Sequence, residues 1–112
     1  MTKNNLKGKI TFTKNWNQKL QCDYFTTIRR YPKKIGQTYN IYLQDTFLFE
    51  AVVIDCQPIT LNQLTHKTYL CYLDTGMSPQ DTVNLLQKMY PSNNDTMTLY
   101  VVLLKRRADT SV

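Results

Sequence analysis

Tyr24-Phe25-Thr26-Thr27-Ile28-Arg29-Arg30 is the densest β-branched and aromatic run in the front of the chain, and it discharges into two arginines. Such residues suit a pleated, half-buried surface, so the run predicts a strand. Pro32 and Gly36, set around Lys33 and Lys34, predict a surface loop immediately after it. A strand that opens into a cationic loop places hydroxyls and guanidinium groups in one cleft, which suits a phosphate, a carboxylate or a base edge. The candidate ligand contacts are therefore Arg29 and Arg30 for a phosphate or base edge and Thr26 and Thr27 for hydroxyl hydrogen bonds. Lys33 and Lys34 would add long-range attraction, and Tyr24 a stacking face.

Working outward, Lys9 to Thr13 alternates polar and apolar residues and predicts a first strand. Asn15 can cap a short helix with Trp16, Leu20 and Lys19 on one face. In Thr38 to Leu43, Tyr39, Ile41 and Leu43 share a face. Phe47 to Cys56 is the longest strand candidate, with Phe47, Phe49, Ala51 and Val53 on one face and Leu48, Val52 and Ile54 on the other. Two apolar faces predict a central, doubly covered strand or part of a barrel wall, in which Glu50 needs a partner or a bulge. Pro58 to Leu64 predicts one helical turn on a crossing loop. Thr68 to Asp74 reads equally as a strand or as a buried connecting segment. Ser78, Pro79 and Asp81 form a helix start, and Val83, Leu86, Met89 and Tyr90 recur at helical spacing. Thr98 to Leu104 is a last strand, followed by a second basic cluster, Lys105-Arg106-Arg107. Five to six strands with two short helices make a β-rich α+β domain, and a small, partly open β-barrel is its natural closure.

The 112 residues, 42% hydrophobic and 12% aromatic, are enough for one domain with a real core. We place that domain at 9–105, with residues 1–8 and 106–112 as flexible ends. The net charge of +6 is uneven: residues 1–35 carry +8 and the rest −2. A positive front half favours polyanions. The polar N-terminus lacks the apolar core of a signal peptide, and no run approaches the roughly 18 apolar residues of a membrane span, so a cytoplasmic monomer is expected. Cys22, Cys56 and Cys71 are widely spaced beside a lone His66, which predicts reduced, buried thiols and neither a disulfide framework nor a metal site. Glycines at 8, 36 and 76 make no phosphate-binding loop, and no cofactor is expected. Asp74-Thr75-Gly76 matches the catalytic loop of aspartic proteases, but only 36 residues follow it, too few for the flap and dimer strand of such a subunit. A capped turn ahead of the helix at Ser78 explains those residues equally well. Tyr24, Tyr31, Tyr42 and Tyr100 are the tyrosines whose neighbours leave room for exposure.

The order of the parts resembles the ASCH domain of the PUA-like superfamily. The resemblance rests on Ile10-Thr11-Phe12, Phe25-Thr26-Thr27-Ile28-Arg29, the strand entry at Gly36, Ile59-Thr60-Leu61, Gly76-Met77-Ser78, Met89-Tyr90-Pro91 and Leu99-Tyr100-Val101-Val102, and it covers about residues 9–105. It implies a PUA-like β-barrel with a cleft for RNA or a modified nucleoside. The nearest relatives by this resemblance are small bacterial N4-acetylcytidine amidohydrolases, which use a lysine, a threonine and a glutamate. Their threonine falls on Thr27 and their following arginine on Arg29. The lysine position is Tyr24, and the glutamate position falls near Thr75, with Asp74 one residue away. A phenol with a pKa near 10 does not supply a lysine's charge. The resemblance therefore implies binding of RNA first, and hydrolysis through Thr27 and Asp74 as the alternative. A non-catalytic protein-interaction domain is a third reading.

Overall fold

The computed structural model describes residues 8–90 and 97–107. Its strands are β1 (Gly8–Phe12), β2 (Tyr24–Arg29), β3 (Thr38–Leu43), β4 (Thr46–Thr60) and β5 (Thr98–Arg106). They form one five-stranded sheet in the order β1-β3-β4-β5-β2. Only β1 and β3 are parallel; the other neighbours are antiparallel. A 3-10 helix (Trp16–Gln21) follows β1, and α1 (Leu61–Leu64), α2 (Thr68–Thr75) and α3 (Pro79–Met89) lie between β4 and β5. The β-rich α+β class expected from the sequence is the one found, with a 3-10 helix and three α-helices among the described residues where two short helices were expected. The sheet is open, because no backbone ladder joins its edge strands β1 and β2 among the described residues.

Side chains on the two faces of the sheet build two cores. One face carries Ile10, Phe12, Phe25, Ile41, Phe49, Ala51, Val53, Val102 and Leu104. The other packs Ile28, Ile59 and Leu99 against Leu61, Leu64, Cys71, Val83 and Leu86 of the helical layer. Each fully buried aliphatic side chain of this kind contributes about 1.5–3 kcal/mol. Strand β4 serves both cores through two irregularities. Val53 pairs with Leu104 and Asp55 with Leu103, so Ile54 is an extra residue. One extra residue reverses the alternation, which takes Phe49, Ala51 and Val53 into the first core and Ile59 into the second. At the other end Ile41 pairs with Phe49 and Tyr42 with Phe47, which makes Leu48 the extra residue.

These bulges correct the reading of β4. Phe47 was expected on the face of Phe49; the bulge turns it outward, 49% exposed, where it packs edge-on against Tyr42 at 5.7 Å. The strand is central, but it is not doubly covered along its length, since Leu48 and Ile54 are exposed. Glu50 accepts a backbone bond from Arg107 N at 2.9 Å.

The ambiguous segment at Thr68 is helix α2. Cys71, Asp74 and Thr75 are buried while Tyr69, Tyr72 and Leu73 are exposed, a period of three to four rather than two. It ends at Gly76, whose φ of 76° is the left-handed conformation favoured after a helix C-terminus. Asp74-Thr75-Gly76 is thus a helix end. Helix α3 starts as expected, with Ser78 Oγ accepting from Asp81 N at 3.2 Å and Pro79 in the first turn. Val83 and Leu86 are buried, but Met89 is half exposed. The front helix is a 3-10 element broken by left-handed Asn17 and Gln18. For that reason Asn15 Oδ1 accepts from Leu20 N, at 2.9 Å, instead of capping a first turn. The cysteines are all free thiols, with Cys71 buried, Cys56 partly buried and Cys22 exposed, so burial holds for one of the three. No helix among the described residues is long and apolar enough to cross a membrane. The expected flexible ends lie largely outside the described residues, while β5 itself runs on to Arg106.

Candidate functional site

Strand β2 is an edge strand, and what covers its free side is the 3-10 helix and the end of α2. Asn17 ties these two together by donating from Nδ2 to Tyr72 O at 2.9 Å, and its side chain rests on Gly76. This junction brings a lysine and a carboxylate from opposite halves of the chain into contact. Lys19 Nζ donates to Asp74 Oδ1 at 2.9 Å, with side-chain exposures of 5% and 7%. Thr26 Oγ1 donates to the same oxygen at 2.7 Å.

Next along β2, Thr27 and Arg29 alternate to the other face. Thr27 is buried, and its Oγ1 accepts from Arg29 Nε at 2.9 Å. A hydroxyl that accepts this bond keeps its own proton to donate. Arg29 also donates from Nη2 to Thr11 O at 3.1 Å, which bridges the two sheet edges. Its guanidinium carbon stands 4.9 Å from the centre of the Phe12 ring, and Lys19 Nζ stands 5.1 Å from it. Contact with the ring face partly compensates two cations drawn away from water.

These groups line a cavity of about 80 Å³ that includes Thr27, Arg29, Lys19, Asp74 and Thr75, with Trp16 and Met89 among its apolar walls. Burial pushes the Lys19 amine below its ordinary value; Asp74 acts against that shift, and nearby Arg29 adds to it. Burial likewise lowers Arg29, with Tyr90 and Asp74 opposing. Lys33 does not line the cavity, yet its amine is lowered first by burial and then by repulsion from Arg29.

The residues expected to form one cleft are therefore divided. Thr27, Arg29 and Asp74 line the cavity. Tyr24, 54% exposed, and Thr26 line a separate hollow of about 300 Å³ with Leu73 and Leu103, and Lys19 borders both hollows. Arg30 donates to Thr98 O at 3.1 Å and stacks on the exposed Tyr31 ring at 5.3 Å. Lys33 sits over Tyr39 at 5.3 Å, and Lys34 is exposed. The sequence reading missed Lys19 as a site residue. Its only signal was the shared helical face with Trp16 and Leu20, and nothing local pointed it at Asp74, 55 positions away. Among the described residues no group of three His, Cys, Asp or Glu side chains is placed to hold a metal ion.

No family model, curated protein or solved structure matches this chain.

Proposed function

We propose that the chain is an ASCH-type module of the PUA-like superfamily that binds RNA through the Arg29 cavity. The observation that carries this reading is the arginine held at the cavity wall by Thr27, Thr11 and Phe12, with no further side-chain hydrogen bond to its fork among the described residues. A planar fork fixed in place suits a base edge or a phosphate, and the Thr27 hydroxyl beside it offers a donor. The positive front half of the chain would steer a polyanion to it. The barrel expected of this family is supported by Phe12 and Phe25, whose rings meet edge-on at 6.3 Å across the gap between β1 and β2. A cytoplasmic setting fits three free thiols.

One observation favours hydrolysis of a modified nucleoside as the second reading. Lys19 brings a lysine beside Thr27 and a carboxylate, although the strand position that carries the lysine in the amidohydrolases is Tyr24. Its amine, lowered by burial, is closer to serving as a base than an exposed lysine.

The test is a titration with short single-stranded RNA at low and moderate salt, with Arg29→Ala alongside. Affinity should fall with salt, and the variant should lose about 10- to 100-fold, the cost of one bidentate arginine contact. Equal binding by the variant sinks the assignment of this cavity. Turnover of N4-acetylcytidine that disappears in Thr27→Val moves the assignment to hydrolysis.

A further inference from the structure

The Arg29 cavity, at about 80 Å³, is far smaller than the roughly 300–1,000 Å³ of sites that enclose a drug-sized ligand. It admits a ring or an amide edge and leaves the remainder of a nucleotide on its rim. The chemistry of that rim therefore says what else the ligand carries.

Trp16 lines the cavity and is half-buried, so part of the indole faces outward. Lys14 is exposed, and its Nζ stands 4.9 Å from the centre of that indole. Lys14 makes no ion pair among the described residues. Acidic side chains are scarce around it in sequence: Asp23 is the only one before Asp45. We propose that Lys14 and Trp16 form a subsite for a nucleotide's phosphate and adjoining base, so that the ligand is a nucleotide within a single strand rather than a free nucleoside. The proposal rests on the cavity being the nucleic-acid site argued above.

The physical argument is one of charge and shape. A neutral nucleoside seated at Arg29 gains nothing from an ammonium group on the rim, whereas a phosphate does. The lysine stem is flexible, so its ammonium can leave the indole for a phosphate while a base takes its place over the ring. Stacking of a base on an aromatic side chain contributes about 1–3 kcal/mol and tolerates any base. A lysine and an indole side by side thus read a strand without reading its sequence.

Trp16 is the chain's one tryptophan, so its fluorescence reports this subsite directly. The experiment titrates cytidine, cytidine 5′-monophosphate and a short cytidine oligonucleotide at low salt, with Lys14→Gln and Arg29→Ala alongside. The oligonucleotide should quench the fluorescence and bind at least about tenfold more tightly than cytidine. Lys14→Gln should remove the phosphate's share of that advantage, keep the share owed to stacking on Trp16, leave cytidine binding unchanged and reduce the salt slope by about one. Equal affinity for cytidine and the oligonucleotide overturns the proposal, as does an oligonucleotide affinity unchanged in Lys14→Gln. A monophosphate that binds as tightly as the oligonucleotide overturns the strand. Binding lost in Arg29→Ala but indifferent to Lys14→Gln defeats this proposal and leaves the cavity assignment standing. No binding by any of the three probes removes both.

Discussion

Replacing Asp74 with asparagine is expected to destabilise the protein by about 3–5 kcal/mol near neutral pH, the range seen when one partner of a buried ion pair is removed. The isosteric amide keeps an acceptor for Thr26 but withdraws the charge opposite Lys19, which is 5% exposed and bonded at 2.9 Å. The deficit should also depend on pH. Burial already holds the Lys19 amine below its ordinary 10.5 against the pull of Asp74. Between the lowered folded value and 10.5 the unfolded chain holds more protons, so this group's contribution to stability rises with pH across that window. Without the carboxylate the folded value drops further and the window widens downward. The deficit of Asp74→Asn should therefore shrink as the pH is raised from about 7 to about 10. Urea unfolding at both pH values measures it, and a small or pH-independent deficit would show that the pair is not the buried contact described. The double variant Lys19→Met with Asp74→Leu should recover most of the loss, because two apolar side chains leave no charge without a partner.

Phe25→Ala carries the second large effect, about 3–5 kcal/mol. Phe25 is 4% exposed and packs edge-on against Phe12 at 6.3 Å and Phe49 at 5.8 Å, so it links both edge strands to the centre of the sheet. The control is Phe47→Ala. Phe47 is an aromatic of the same strand as Phe49, but half exposed, and its loss should cost under about 1 kcal/mol. Similar losses in the two variants would contradict the bulge at Leu48, which turns Phe47 out of the core that holds Phe25 and Phe49. Because Phe12 also contacts Arg29 and Lys19, Phe25→Ala should loosen the cavity as well as the core. The readout is affinity for the RNA probe of the proposed function, measured under conditions where the variant remains folded.

Much of the fold was legible in the chain because its signals are local. The β-branched and aromatic run of β2 and the Ser78-Pro79 start of α3 act through their own backbone, and the structure has both where they were expected. Where reading failed, long-range register was responsible. The alternation in Phe47 to Cys56 is regular on paper, but Leu48 and Ile54 are each unmatched across the sheet, and no property of their side chains announces it. Helix α2 was illegible for a related reason. Tyr69-Leu70-Cys71-Tyr72-Leu73 is apolar throughout, so no period stands out until the neighbouring layer decides which residues are buried.

The candidate site divides in the same way. Thr27 and Arg29 lie two apart on one strand, so the sequence by itself put their side chains on one face, where they meet in a hydrogen bond. Tyr24 and Thr26 are on the opposite face by the same alternation, and a single cleft could not hold all of them. That Lys19 faces Asp74 was decided only by tertiary structure, because the contact depends on how the 3-10 helix and α2 close over the free edge of β2. The chain's local periodicity determined most of its strands, though not α2 or the last residues of β4, and its composition determined that the front half would be cationic. Packing across the sheet edge determined which of those cations are buried, and which carboxylate answers them.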